Sequence, residues 1–254
     1  MGFLHEGHLS LIRRAKELAD VVITTIFVNP TQFGIGEDFE SYPRDFEADK
    51  RRAEEAGADI VFLPDRRDMY PDGYRTYVEV EEVASILEGE FRPTHFRGVT
   101  TVVAKLLNLT KPHVAIFGQK DAQQAFVVRK MVEDLNIDVE IHVEPTVREA
   151  DGLAMSSRNF YLNDDERTGA ASLYRALTFA ETQIHAGERS IEKMQREMNK
   201  LISDAGATKI DYIAFVDPNT FALADVLHPP MILIALAVRF GSTRLIDNIT
   251  VNFT

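Results

Sequence analysis

Residues 114–143, VAIFGQKDAQQAFVVRKMVEDLNIDVEIHV, decide the fold. The apolar run at 114–117 reads as a buried strand, a helical pattern follows from about 122 to 135, and a second strand covers 139–143. Strand, helix and strand in one stretch make a βαβ unit, whose two strands lie parallel. The same rhythm runs upstream. Leu11, Ile12, Ala15, Leu18 and Ala19 fall on one helical face, 21–28 reads as a strand, and 49–56 is a charged helix ended by Gly57. A short strand at 60–63 stops at Pro64, and Val99, Val102, Val103, Leu106 and Leu107 form another helical stripe. Alternating strands and helices predict an α/β domain with a doubly wound parallel sheet, whose ligands sit beyond the carboxyl ends of the strands.

Past residue 147 the rhythm changes. Ala170, Leu173, Tyr174, Leu177, Ala180 and Ile184 predict one long amphipathic helix, and Ile191, Met194, Met198 and Leu201 a second. Strands at 212–216, 231–238 and 244–249 follow with no long helix between them, which predicts a separate, smaller α+β domain. The expected division is 1–147 and 148–254. The polar stretch 34–44, with two glycines and no periodicity, is the candidate mobile loop.

Composition narrows the chemistry. The 254 residues carry a net charge of -12, which argues against a nucleic-acid partner, because phosphate-backbone affinity needs many clustered lysines and arginines. There is no apolar run of the length that spans a bilayer and no basic-then-apolar leader pattern, so a cytoplasmic protein with no membrane partner is expected. With no cysteine, histidine, lysine, carboxylates and hydroxyls are left to do any chemistry.

Four segments carry such groups. His5-Glu6-Gly7-His8 opens the first helix, where two imidazoles beside unpaired backbone N–H groups suit phosphate oxygens; two helix-capping histidines fit the same letters equally well. A metalloprotease-type zinc site needs histidines four apart, and these are three apart, so no metal ligand is assigned. Gly118-Gln119-Lys120-Asp121 follows a strand and precedes a helix, which puts Lys120 at the ligand edge of the sheet; Asp121 reads first as the helix cap. Gln124, one turn further, can reach whatever that loop holds. Met155-Ser156-Ser157-Arg158 offers two hydroxyls and a guanidinium to a polyphosphate, or simply a capped turn. Asn29-Pro30-Thr31-Gln32 ends the strand at 21–28, again at the ligand edge.

Together and in this order, these segments resemble the pantothenate synthetase family. The matching stretches are 1–8, 26–33, 42–44, 92–99, 117–124, 155–158 and 239–248, nearly end to end. The His-x-Gly-His pattern alone is shared with nucleotidyltransferases and class I aminoacyl-tRNA synthetases. The resemblance implies a Rossmann-like N-terminal domain, a C-terminal lid domain and a homodimer. It implies a ligase that condenses pantoate with β-alanine through a pantoyl adenylate, with ATP and Mg2+ as the nucleotide substrate and AMP and pyrophosphate as products. Met1, Gly2, Phe3, Leu4, His5, Glu6, Gly7 and His8 would line ATP, with Gly118, Gln119, Lys120, Asp121, Val147, Met155, Ser156, Ser157 and Arg158. His8 would be the residue assigned as catalytic acid, with His5, Lys120 and Arg158 as the other catalytic groups. Gln32 would hold pantoate and β-alanine, and Gln124 pantoate.

The family also carries a strand upstream of the His-x-Gly-His segment, so the resemblance implies a native chain longer by roughly two or three dozen residues before Met1. The rival functions are another adenylyl-transferring enzyme of the same superfamily, with a different acceptor, and a catalytically silent nucleotide-binding protein.

Overall fold

The computed structural model describes residues 2–34 and 36–254, and the chain divides into two units, Met1–Pro145 and Thr146–Thr254. The division falls two residues before the expected boundary because Val147 already belongs to the second unit, where its carbonyl accepts from Met155 N–H at 3.0 Å.

The first unit runs α1 (Glu6–Leu18), β1 (Ile23–Thr25), α2 (Phe46–Glu55), β2 (Ile60–Phe62), α3 (Arg66–Met69), α4 (Glu88–Phe91), α5 (His95–Thr110), β3 (Val114–Gly118), α6 (Ala122–Asp134) and β4 (Glu140–Glu144). β1 pairs with β2 and β3 with β4, both parallel, with Ile23 opposite Ile60 and Val114 opposite Glu140. The βαβ unit read from 114–143 is therefore present. Among the described residues no ladder joins the two pairs, so the parallel strands form two small sheets where one continuous sheet was expected. β1 is shorter than the apolar run 21–28. Its last link is Ile26 N–H to Phe62 O at 3.0 Å, after which the chain leaves the ladder for a 3-10 turn, Pro30–Gln32.

Two cores hold this unit. Val99, Ala104 and Leu107 of α5 pack with Val128, Met131 and Val132 of α6, over the half-buried Ala115, Phe117 and Ile141 of β3 and β4. Each large side chain so buried contributes about 1.5–3 kcal/mol. Leu4, Ile12, Val22, Ile26 and Ala53 tie α1, β1 and α2 together. Of the stripe predicted for α1 only Ile12 is buried, and Leu18 reaches solvent. α5 also meets the 3-10 turn backbone to backbone: a Cβ on Gly98 would lie 2.3 Å from Thr31 O, so no larger residue fits there unless the chain shifts.

The second unit contains α7 (Asp164–Ala170), α8 (Ser172–His185), α9 (Ile191–Asp204), β5 (Lys209–Val216), β6 (Met231–Phe240) and β7 (Thr243–Asn252). The strands form one antiparallel sheet in the order β5-β6-β7, and α8 and α9 bury Leu173, Leu177, Ile184, Met194, Met198 and Ile202 in a core shared with Phe215, Ile234, Leu236 and Val238. The helix predicted from Ala170 onward is broken at Ala171 into α7 and α8. On α9 the buried stripe ends at Ile202; Leu201 is 41% exposed. The step of four from Met198 stays on the buried face, and the step of three leaves it.

Candidate active site

The His-x-Gly-His segment is shaped by its backbone before its side chains matter. Gly2 has φ 148° and Phe3 φ 54°, two successive left-handed residues that turn the chain into α1. A Cβ on Gly2 would approach Ile26 and Val28 at 3.6 and 3.7 Å, so this turn lies alongside the segment that leads from β1 to Asn29. His5 is the N-cap of α1 and His8 stands in its first turn, with ring centroids 4.0 Å apart. The His5 N–H donates to His8 Nδ1 at 3.3 Å. A backbone N–H can only donate, so Nδ1 is the acceptor and a neutral His8 carries its proton on Nε2. Enclosure by the surrounding chain pushes the His8 imidazole well below the ordinary histidine pKa, and the charges of His5 and Lys120 push the same way. His8 is thus a neutral ring with one N–H to offer, at the positive end of a helix.

Lys120 comes to this place from the other parallel pair. β3 ends at Gly118, and the 3-10 turn Gln119–Asp121 carries Lys120 past the strand's carboxyl end, mostly buried. α1 packs on β3, with Leu11 at the face of Gly118. That packing brings Lys120 within electrostatic reach of His8. Asp121, which the sequence reads first as a cap, occupies the N-cap position of α6, but its carboxylate makes no capping hydrogen bond and lies 3.7 Å from the Lys120 ammonium. Gln124 is half-buried on the first turn of α6, and its neighbour Gln123 is the buried glutamine, bonded to Glu88 N–H and to the Val83 and Ile86 carbonyls.

The turn bearing Gln32 is held by Asn29, which the sequence marks, and by Tyr70, Arg92 and His95, which composition and periodicity leave unmarked. Asn29, 1% exposed, donates to Gly98 O at 3.0 Å and to Gln32 Oε1 at 3.3 Å, and accepts from Tyr70 OH at 2.9 Å. His95 Nδ1 and Arg92 Nη2 meet the Gln32 carbonyl at 2.9 and 3.2 Å. Arg92 Nη1 also faces His95 Nε2 at 3.3 Å; a guanidinium can only donate, so Nε2 accepts and Nδ1 is the protonated nitrogen. Burial, then the neighbouring Arg92, push the His95 pKa down to about 4. Arg92 further forms a two-pronged ion pair with Glu37, at 2.7 and 2.6 Å, in the stretch 34–44. Although burial opposes it, that pair holds Glu37 below the usual carboxylate range.

The second unit supplies the Ser-Ser-Arg segment on its own scaffold. Arg148 and Ala154 form a bridge, Val147 and Met155 are joined by a hydrogen bond, and the 3-10 turn Ser157–Tyr161 follows at once. Ser156 Oγ accepts from Arg158 N–H at 3.2 Å, so it caps that turn, and the cap of α7 is Asn163. Two arginines and three carboxylates fix the hairpin. Arg148 pairs with the buried Asp247 at 2.6 and 2.9 Å, while Arg167 reaches Asp151 and Glu149 at 2.6 and 2.7 Å. Glu149 in turn accepts from Asn159 at 2.8 Å. The structure therefore gathers His5, His8 and Lys120 in the first unit, and Val147 with Met155, Ser156, Ser157 and Arg158 in the second. Met1 lies outside the described residues.

The first unit thus brings paired imidazoles and a lysine at a strand's carboxyl end within electrostatic reach of one another. A sequence profile described as pantoate-beta-alanine ligase matches residues 1–250. The chain belongs to the pantoate-beta-alanine ligase family. A pantothenate synthetase from Caldicellulosiruptor saccharolyticus is 55% identical over 251 residues, 99% of this chain and 89% of that protein. One from Moorella thermoacetica is 55% identical over 249 residues, 98% of this chain and 88% of that protein. Among solved structures, the pantothenate synthetase of Thermus thermophilus superposes with a TM-score of 0.94 at 44% identity, covering 98% of this chain and 90% of that one. The pantoate-beta-alanine ligase of Francisella tularensis, complexed with beta-gamma ATP and β-alanine, gives 0.80 at 38% identity over 98% and 86%. As a member of this family the chain is a ligase of the pantothenate-forming kind with an α/β fold.

Proposed function

We propose that the chain joins pantoate to β-alanine through a pantoyl adenylate made from ATP. The pantoate carboxylate attacks the α-phosphorus in line; a phosphorus–oxygen bond forms to the carboxylate and the bond to pyrophosphate breaks. The nucleophile is already an anion and pyrophosphate is a good leaving group, so the step needs charge stabilisation more than a proton. His5, His8 and Lys120 supply it, and His8 acts through its Nε2–H; Arg158 is assigned as a further catalytic group on the family resemblance alone. The β-alanine amine then attacks the pantoyl carbonyl, the amide forms, AMP leaves and the amine gives up its proton. Gln32 faces pantoate and β-alanine, and Gln124 faces pantoate. The mixed anhydride needs cover from water, and the stretch 34–44 is the candidate for it.

The further lining of ATP, from Gly2 to Gly7 and from Gly118 to Asp121 with Val147, Met155, Ser156 and Ser157, belongs to the same reading. Mg2+ enters with the nucleotide phosphates; among the described residues no group of three His, Cys, Asp or Glu is placed to hold a metal. Among the described residues no helix is long and apolar enough to cross a membrane. On the family resemblance we assign the chain to the cytoplasm as a homodimer.

The observation that carries this reading is the joining of His5, His8 and Lys120 at one helix start in a chain matched by the family profile over residues 1–250. The test is a coupled assay with ATP, pantoate and β-alanine, each omitted in turn. Pyrophosphate released with pantoate alone, and AMP plus pantothenate only with all three, is the expected result. Pyrophosphate release that ignores pantoate would overturn it.

A further inference from the structure

Asp49 lies in a charged helix and gives no sign in the sequence of any special role, yet it is 2% exposed. Both of its oxygens are engaged by the turn that leads into the histidines: Phe3 N–H donates to Oδ2 at 2.7 Å and Leu4 N–H to Oδ1 at 2.6 Å. Arg52, one helical turn further along α2, donates from Nη1 to Leu4 O at 2.6 Å. One face of α2 therefore takes two consecutive N–H groups and the carbonyl of the residue directly before His5. The gripped backbone is strained, since a phenylalanine at φ 54° occupies a region that side chains rarely adopt. Two hydrogen bonds to a buried carboxylate are strong enough to hold such a conformation.

We infer that Asp49, assisted by Arg52, is a positioning residue for adenylate formation: it sets the Gly2–Leu4 backbone so that His5 and His8 meet the nucleotide phosphates in register. This rests on the reaction proposed above. The carboxylate touches neither histidine ring in the contacts described and acts through the backbone, and a displacement of about 1 Å at a reacting centre costs roughly a hundredfold in rate.

Asp49→Asn keeps the shape and one acceptor but turns an amide N–H against one of the two backbone donors. Pantoate-dependent ATP–pyrophosphate exchange should fall by about ten- to a hundredfold in kcat, while the KM for pantoate stays within about twofold. Arg52→Gln, at an exposed position, should move the same parameter in the same direction by less. The His5 and His8 imidazole resonances, recorded without substrates, should shift in both variants while the rest of the spectrum stays folded. Exchange within threefold of the unsubstituted chain in both variants would overturn the inference. So would losses in kcat and in every KM that merely track a loss of thermal stability. The histidine resonances decide the matter even if the unsubstituted chain shows no pantoate-dependent exchange: unmoved resonances refute the clamp, whereas absent exchange refutes the reaction.

Discussion

Acidification should destabilise the fold in part through His95. It is buried, with Nδ1–H donating to the Gln32 carbonyl and Nε2 accepting from Arg92. Both nitrogens are satisfied only in the neutral form; a second proton would set an N–H against the guanidinium. Burial first and the neighbouring Arg92 second take its pKa from 6.5 down to about 4. The unfolded chain takes up a proton as the pH drops below 6.5, and the folded chain refuses it until about 4. The stabilisation is therefore complete above the unfolded value and is lost as the pH falls. Between pH 7 and pH 5 the loss from this group is about 2 kcal/mol, rising to about 3 below the folded value. Asn at this position keeps an N–H for the Gln32 carbonyl and does not titrate. Denaturant melts at pH 7 and pH 5 should show the unsubstituted chain losing about 2 kcal/mol more than His95→Asn. Equal losses in the two proteins would refute the assigned protonation and with it the account of what holds the Gln32 turn.

Gly98→Ala drives a methyl group into Thr31 O, so it should cost about 1–3 kcal/mol in a denaturant melt and raise the KM for pantoate by moving the Gln32 turn. Lys120→Ala should cut pantoate-dependent pyrophosphate release by about a hundredfold or more with an unchanged circular dichroism spectrum. His8→Gln, which can still present an N–H near the Nε2 position, should retain at least about ten times the activity of His8→Ala. The rate of the unsubstituted chain should show no limb from His8 near its ordinary value of 6.5, because burial, His5 and Lys120 all keep the ring neutral well below it.

How far the sequence reached depends on the range of the interactions that set each feature. The βαβ unit at 114–144 was legible because short apolar runs and helical spacing are local signals, and the second unit's three strands were legible for the same reason. The break at Ala171 and the choice of Ile202 over Leu201 were not, because both depend on which face meets the sheet. Nor does periodicity show that the parallel strands fall into two pairs. At the site, His5, His8 and Lys120 could be named because imidazoles at a helix start and a lysine after a strand are local patterns. Asp121 misleads, since its helix position suggests a cap while its carboxylate faces Lys120. Asp49 was missed altogether: its partners, Phe3 and Leu4, lie more than forty residues away, and a buried aspartate looks like any other in a charged helix. The roles of Arg92 and His95 in fixing the Gln32 carbonyl arise from a comparable distance along the chain.

The most direct test of the reaction follows one oxygen atom. When pantoate labelled with oxygen-18 in both carboxylate positions is converted with ATP and β-alanine, carboxylate attack at the α-phosphorus must leave one labelled oxygen on each AMP. Phosphorus-31 NMR or mass spectrometry of the AMP reads it. One oxygen-18 per AMP for each pantothenate formed is the predicted result; unlabelled AMP, or ADP in its place, would contradict the adenylate route.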